Sequence, residues 1–196
     1  MKKKKITNAV HNYLEIFPEE QNRLKTLLTY LDKYSSEEIT DWNNFNGHIC
    51  ASGFVYSKKE QKFLTLYHKD MKTFLYPGGH IDATDDTPTI TAKREVKEET
   101  GLTNFQLLSI SSDDLVPFDI DTHIIPYNER LKLPSHYHFD FRYLFTIDEI
   151  SNIKVDTSEL GEYKWISLND LKSNTFFGIV APKIEKLINK IGDTNE

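Results

Sequence analysis

The run Arg94-Glu95-Val96-Lys97-Glu98-Glu99-Thr100-Gly101 places three carboxylates within five positions, just ahead of a glycine. On an α-helix, which turns about 100° per residue, Glu98 falls about 60° to one side of Glu95 and Glu99 about 40° to the other. All three share one face. Glu95 and Glu99 form a like-charge i,i+4 pair, which costs an isolated helix roughly 0.2–0.5 kcal/mol. A helix that concentrates negative charge in this way either leaves it solvated or uses it to hold a cation. Hard oxygen donors in a cluster suit Mg2+ or Mn2+, with waters and substrate phosphates completing the coordination shell. Cysteine is absent from the cluster, which argues against a structural zinc site there.

The flanking residues read as a helix from about Pro88 to Thr100. Thr87 supplies the N-cap, Pro88 the first helical position and Gly101 the left-handed stop. Ile90, Ala92 and Val96 are expected to pack inward, while Arg94 precedes Glu98 by four residues and is placed to hold that carboxylate. Upstream, Pro77-Gly78-Gly79 forms a turn whose backbone can approach a ligand or metal closely.

These residues resemble the signature of the Nudix hydrolases, G-x5-E-x7-R-E-U-x-E-E-x-G-U with U apolar. Gly79 takes the first position, and Arg94 to Leu102 match the second half in full. The loop carries one extra residue, and with Asp86 at the acidic position the spacing from Gly79 is one too long and the acid is Asp instead of Glu. The resemblance is specific over Gly79 to Leu102 and looser over about 47–192. It implies a metal-dependent pyrophosphohydrolase that cleaves a nucleoside diphosphate linked to another moiety. It further implies Glu95, Glu98 and Glu99 as metal ligands, the Gly79 carbonyl as an additional ligand, and Arg94 as the residue orienting the glutamates. Such enzymes often recruit an acid or base from outside the signature, for which Glu159 is preferred over Glu162. The alternative is a Nudix-fold module that binds a nucleotide as a sensor without turning it over. The complete glutamate set disfavours it, because a sensor has no need of three metal-binding carboxylates.

A second constellation lies in a strand-like run from Ser135 to Ile147. His136, His138, Asp140 and Arg142 alternate with Tyr137, Phe139, Phe141 and Tyr143, so the polar residues share one face and the aromatic residues the other. Burying such a polar face is costly unless it is paired or wet. It is read as a substrate-binding floor, weighed evenly against a ladder of side chains hydrogen-bonded to one another. His80, beside Gly79, approaches the same cleft, and His48 is a weaker candidate.

Around these motifs the chain reads as short strands interspersed with helices, and so as an α/β fold. The family resemblance implies the same, an α/β/α sandwich with a mixed β-sheet and the signature helix lining the cleft. Strands are expected at Ile49–Tyr56, Lys62–His68, Phe105–Ser111, Ser135–Ile147 and Tyr163–Ile166, with Val116–Ile125 less regular. Ser167 to Asp170 fits a helix capping box, and Ile184, Leu187, Ile188 and Ile191 mark a closing amphipathic helix. Residues 1–45 form a helical extension and 46–196 the Nudix domain. Within the extension the stripe Leu24, Leu27, Leu28 and Leu31 reads as packing surface and would also serve as a homodimer contact. The lysines at positions 2–5 read as a solvated terminus, and no long apolar run follows them.

With 196 residues, 38% hydrophobic and 28% charged, the chain is long enough for one domain with a sizeable core. Its net charge of −6 disfavours nonspecific nucleic-acid or anionic-membrane binding. The expected partner is a small nucleotide-type substrate, with no membrane. The lone Cys50 cannot form an internal disulfide and fits a reducing, cytoplasmic setting.

Overall fold

The computed structural model describes residues 2–129, 132–150, 152–158, 160–174 and 177–193, the side chains of 191–193 excepted. Glu159 and the Ile191 side chain therefore lie outside the described residues. The elements, in chain order, are helices α1 (Lys2–Ile16) and α2 (Lys25–Lys33), then strands β1 (His48–Ser57), β2 (Lys62–His68), β3 (Thr73–Leu75) and β4 (Gly78–His80). Helix α3 (Pro88–Thr100) follows, then β5 (Gln106–Leu107), β6 (Asp119–Ile125), β7 (His136–Ile147) and β8 (Leu160–Ser167). Helices α4 (Leu168–Ser173) and α5 (Ala181–Asp193) close the chain.

The sheet is mixed. Its central pair, β1 and β7, runs parallel over ten registered residues, from His48 opposite His138 to Ser57 opposite Ile147. The remaining pairs are antiparallel: β2 and β4 flank β1 at opposite ends, β6 and β5 flank β7, and β3 and β8 pair with β2. Side chains alternate across the sheet. One face presents Ile49, Ala51, Val55, Phe139, Phe141 and Phe145 to Ala92 and Val96 of α3 and to α1 and α2. The other face carries Phe54, Tyr56 and Leu144 under Ile184 and Leu187 of α5, with Leu171 of α4 alongside. Helices thus cover both faces of the sheet.

Gly53 is where α3 comes closest to β1: a Cβ there would collide with Val96 and with the ring of Phe145. Helix α3 has the expected ends, with the Thr87 hydroxyl accepting from the Ile90 N–H and Gly101 left-handed at φ 70°. Ile90, expected to pack inward, is exposed, and the buried positions of the first two turns are Pro88, Thr89, Thr91 and Ala92.

Ile6, Val10, Tyr13, Leu24, Leu27 and Leu31 are all at least 98% buried and belong to the same core as the sheet. The leucine stripe is therefore covered within the chain. Of the lysines expected to form a solvated terminus, Lys4 is exposed, whereas Lys2, Lys3 and Lys5 also make contacts within the fold. They start α1, and the Lys2 ammonium donates to the carbonyls of Asp82 and Ala83, tying this helix to the loop before α3. Strand β5 is shorter than expected, two residues against seven, while the stretch read as irregular contains β6. The capping box of Ser167 and Asp170 is formed as expected. Among the described residues, no helix is long and apolar enough to cross a membrane.

Candidate active site

Arg94 organises the end of α3 that faces the glycine turn. Its Nη1 donates to Glu95 at 2.8 Å and to Glu98 at 2.9 Å, while Nε and Nη2 donate to Asp85 at 3.1 and 2.9 Å. Nη2 also reaches the His80 carbonyl at 2.9 Å, which fixes the strand following Gly79 to the helix. Asp85 is 3% exposed and accepts in addition from Thr91 and from the Asp82 N–H. Burial would raise its pKa, but the Arg94 hydrogen bonds and those of its other donors outweigh that and hold the carboxyl below its ordinary value. Asp86 instead sits in solvent near Lys5.

The acidic position of the signature is therefore Asp85, separated from Gly79 by five residues as the pattern requires. The extra residue falls between this acid and Arg94. The correction has a simple physical cause: only the Asp85 carboxylate turns inward to close the loop on the helix.

Glu95 lies against Gly79 so closely that a Cβ on that glycine would run into its carboxylate. Burial raises the Glu95 pKa, opposed by the charge of Arg94. The Gly78 N–H donates to Glu99 at 3.1 Å. Glu98 is the exposed member, its side chain 58% accessible. Two of the three carboxylates are thus folded onto the Gly78–Gly79 turn, and the third stands at its rim. A hard divalent cation fits such an oxygen donor set.

The polar face expected on β7 is present and extends over four strands. Register places Asp119, Asp121 and His123 of β6 opposite Arg142, Asp140 and His138. Arg142, 4% exposed, donates to Asp140 at 3.0 Å, Asp119 at 3.1 Å and Asp121 at 2.8 Å. Asp140 also accepts from Ser52 at 2.7 Å and Tyr76 at 3.2 Å. Asp140 and Arg142 therefore direct much of their hydrogen bonding inward. At the open end stand His136, His138, His48 and the exposed His80, their rings 4.6–5.4 Å apart centroid to centroid in the His48 and His80 contacts with their neighbours. Glu162, on β8, is exposed beside Lys164. The sequence reading undervalued His48 and did not single out Cys50, Asp85 or His123 for this region. The alternating His48-x-Cys50 pattern was the available signal, but alternation alone does not say which strand lies beside which.

A model of the NUDIX domain matches residues 47–186. The chain belongs to the Nudix family. A curated relative from Lactococcus lactis subsp. cremoris, described as a probable DHNTP pyrophosphohydrolase, is 31% identical over 131 residues, covering 67% of this chain and 72% of that protein. A NUDIX-family hydrolase from Clostridium perfringens has a similar structure, with a TM-score of 0.55 and 26% identity over 71% of this chain and 97% of its own. The Escherichia coli dihydroneopterin triphosphate pyrophosphohydrolase shares the fold at a TM-score of 0.53 and 17% identity, covering 72% of this chain and 95% of its own. This Nudix protein is a hydrolase acting on pyrophosphate bonds.

Proposed function

We propose that the chain is a metal-dependent pyrophosphohydrolase of a nucleotide-type substrate in which a diphosphate links a nucleoside-like group to another moiety. Glu95, Glu98 and Glu99 would hold Mg2+ or Mn2+, with the Gly79 carbonyl beside them. The observation that carries this reading is the closure of the Gly78–Gly79 turn on Glu95 and Glu99, with Arg94 binding Glu95, Glu98 and Asp85 together. The cation, when bound, neutralises phosphate charge and makes a bound water more acidic. Arg94 holds the orientation of Glu95 and Glu98, and Asp85 holds Arg94. Among these glutamates, one accepts the proton of the attacking water, at a carboxylate oxygen. Glu159, retained as a supplementary acid or base, completes the proposed catalytic set.

The exposed His80 and half-buried His138 border the turn and form the part of the polar face nearest a substrate. His136, Asp140 and Arg142 are proposed to hold that floor in place. The substrate class draws support from the description of the Lactococcus relative. The single buried Cys50 accords with a cytoplasmic setting.

The test is phosphate and pyrophosphate release across dihydroneopterin triphosphate, nucleotide sugars, dinucleoside polyphosphates, ADP-ribose, coenzyme A and nucleoside triphosphates, with Mg2+ and with chelator. Cleavage of one class that stops on chelation is expected. Turnover that persists in chelator would overturn the metal role, and silence on every compound would overturn the substrate class.

A further inference from the structure

The glutamates are not where ligand atoms converge most tightly. Among the described residues, one group of His, Cys, Asp or Glu side chains brings its potential ligand atoms within 4.8 Å of one another: His48, Cys50, His80 and His138. The fold builds this group from three adjacent strands. His48 and Cys50 alternate on β1, Cys50 is registered opposite His80 on β4, and His48 opposite His138 on β7. All four therefore point from one face of the sheet. His48 is 1% exposed, Cys50 is 6% exposed, and His80 stands at the solvent edge.

The hydrogen-bond inventory of these rings does not balance on its own. His138 Nε2 lies 2.9 Å from His48 Nε2 and 3.2 Å from His136 Nε2. His136 Nδ1 is 2.7 Å from the Pro134 carbonyl and must be the donor there, so the neutral ring turns a lone pair toward His138. One N–H on His138 then has to serve two neighbours. His48 Nδ1 is buried with no well-formed hydrogen bond, its nearest support being the Asn44 backbone.

A metal ion resolves the same geometry. Zinc–imidazole bonds of about 2.0–2.1 Å at tetrahedral angles put ligand nitrogens about 3.3 Å apart, a few tenths of an ångström beyond the 2.9 Å that separates His48 Nε2 from His138 Nε2. We infer that His48, His80, His138 and Cys50 form a binding site for a borderline-soft divalent metal of the Zn2+ class, separate from the glutamates of α3. Imidazole and thiolate donors select such ions over Mg2+. An ion here displaces the Cys50 thiol proton on binding. The site pins β4, and with it Gly79, to β1 and β7, and it draws on His80 and His138, the two histidines placed nearest the proposed substrate.

The test uses the full chain, stripped with chelator and titrated with Co2+ as a spectroscopic probe. One equivalent is expected to produce the intense visible bands of four-coordinate cobalt together with a thiolate charge-transfer band, and one equivalent of Zn2+ should displace it. His80→Ala and His138→Asn should each weaken binding by more than the roughly 10–100-fold that an outer-sphere partner contributes. Cys50→Ser, nearly isosteric, should remove only the charge-transfer band. Glu98→Gln should leave both band sets intact. Absence of four-coordinate bands, their survival at unchanged affinity in His80→Ala, persistence of the charge-transfer band in Cys50→Ser, or loss of either band set in Glu98→Gln would overturn the site.

Discussion

Arg94 contacts four acceptors at once, Asp85, Glu95, Glu98 and the His80 carbonyl, and the placement of Glu95 and Glu98 depends on that grip. Glu98 and Glu99 carry little of the fold: one is mostly exposed and the other meets the Gly78 N–H. Glu98→Gln or Glu99→Gln should therefore leave the thermal midpoint nearly unchanged. Removing a metal-holding charge should forfeit about 3 kcal/mol of transition-state stabilisation, or about a 100-fold fall in kcat. Near-normal turnover in both variants would remove the glutamates from the metal role. Asp85→Asn should behave differently. It breaks charged hydrogen bonds worth about 1.5–3 kcal/mol and loosens Arg94, so stability and kcat fall together, whereas Asp86→Asn changes neither. Urea unfolding and steady-state kinetics on the pair decide this. The glutamate pattern was legible in the sequence because helical spacing is local. The choice between Asp85 and Asp86 was not, because adjacent acids look alike until one turns inward. Nor was the meeting of His48 and His138, which sit 90 residues apart and come together only through the parallel register of β1 and β7.

Two glycines separate the function of an element from its packing. At Gly53 a methyl would enter the contact between β1 and α3, against Val96 and Phe145, where neither neighbour is a flexible side-chain end. Overpacking of this kind costs about 1–3 kcal/mol. At Gly79 the same methyl would meet only the Glu95 carboxylate, which can swing away. Gly53→Ala is expected to lower the unfolding midpoint markedly, and Gly79→Ala to leave it almost intact while depressing kcat at least tenfold. Equal effects on stability would mean that the turn, and not the glutamate, is what Gly79 protects. The ends of α3 and α4 could be read from the chain because caps are chosen by residue type over three or four positions. Strands β5 and β6 could not, since their pairing is dictated by what β7 presents along the edge that β1 leaves open.

At the scale of the molecule, Arg142 and Asp119 join parts that are remote in sequence. Asp119 accepts from Arg142, from Arg23 at 2.9 Å and from Lys183 at 2.7 Å, so the N-terminal segment, β6, β7 and α5 share one buried charge cluster. This explains why residues 1–45, separable by composition, are continuous with the core. Removing one partner from a buried network leaves the others uncompensated, at a cost of about 3–5 kcal/mol. Arg142→Met should lose stability on that scale in urea, with little sensitivity to salt because the cluster is shielded. The pH dependence follows from Asp121. Burial pushes its carboxyl up, but the His123 hydrogen bond and the charge of Arg142 outweigh this and bring it from 3.8 to about 2. A carboxyl depressed in the folded state contributes stability that is fully present above its unfolded pKa and is lost as pH falls through the folded one. In the parent protein that contribution fades between about pH 4 and pH 2. Without Arg142 the Asp121 pKa rises, so Arg142→Met should unfold at a higher pH in an acid titration followed by circular dichroism. An unchanged acid midpoint with lowered urea stability would show that Arg142 acts through packing instead of charge.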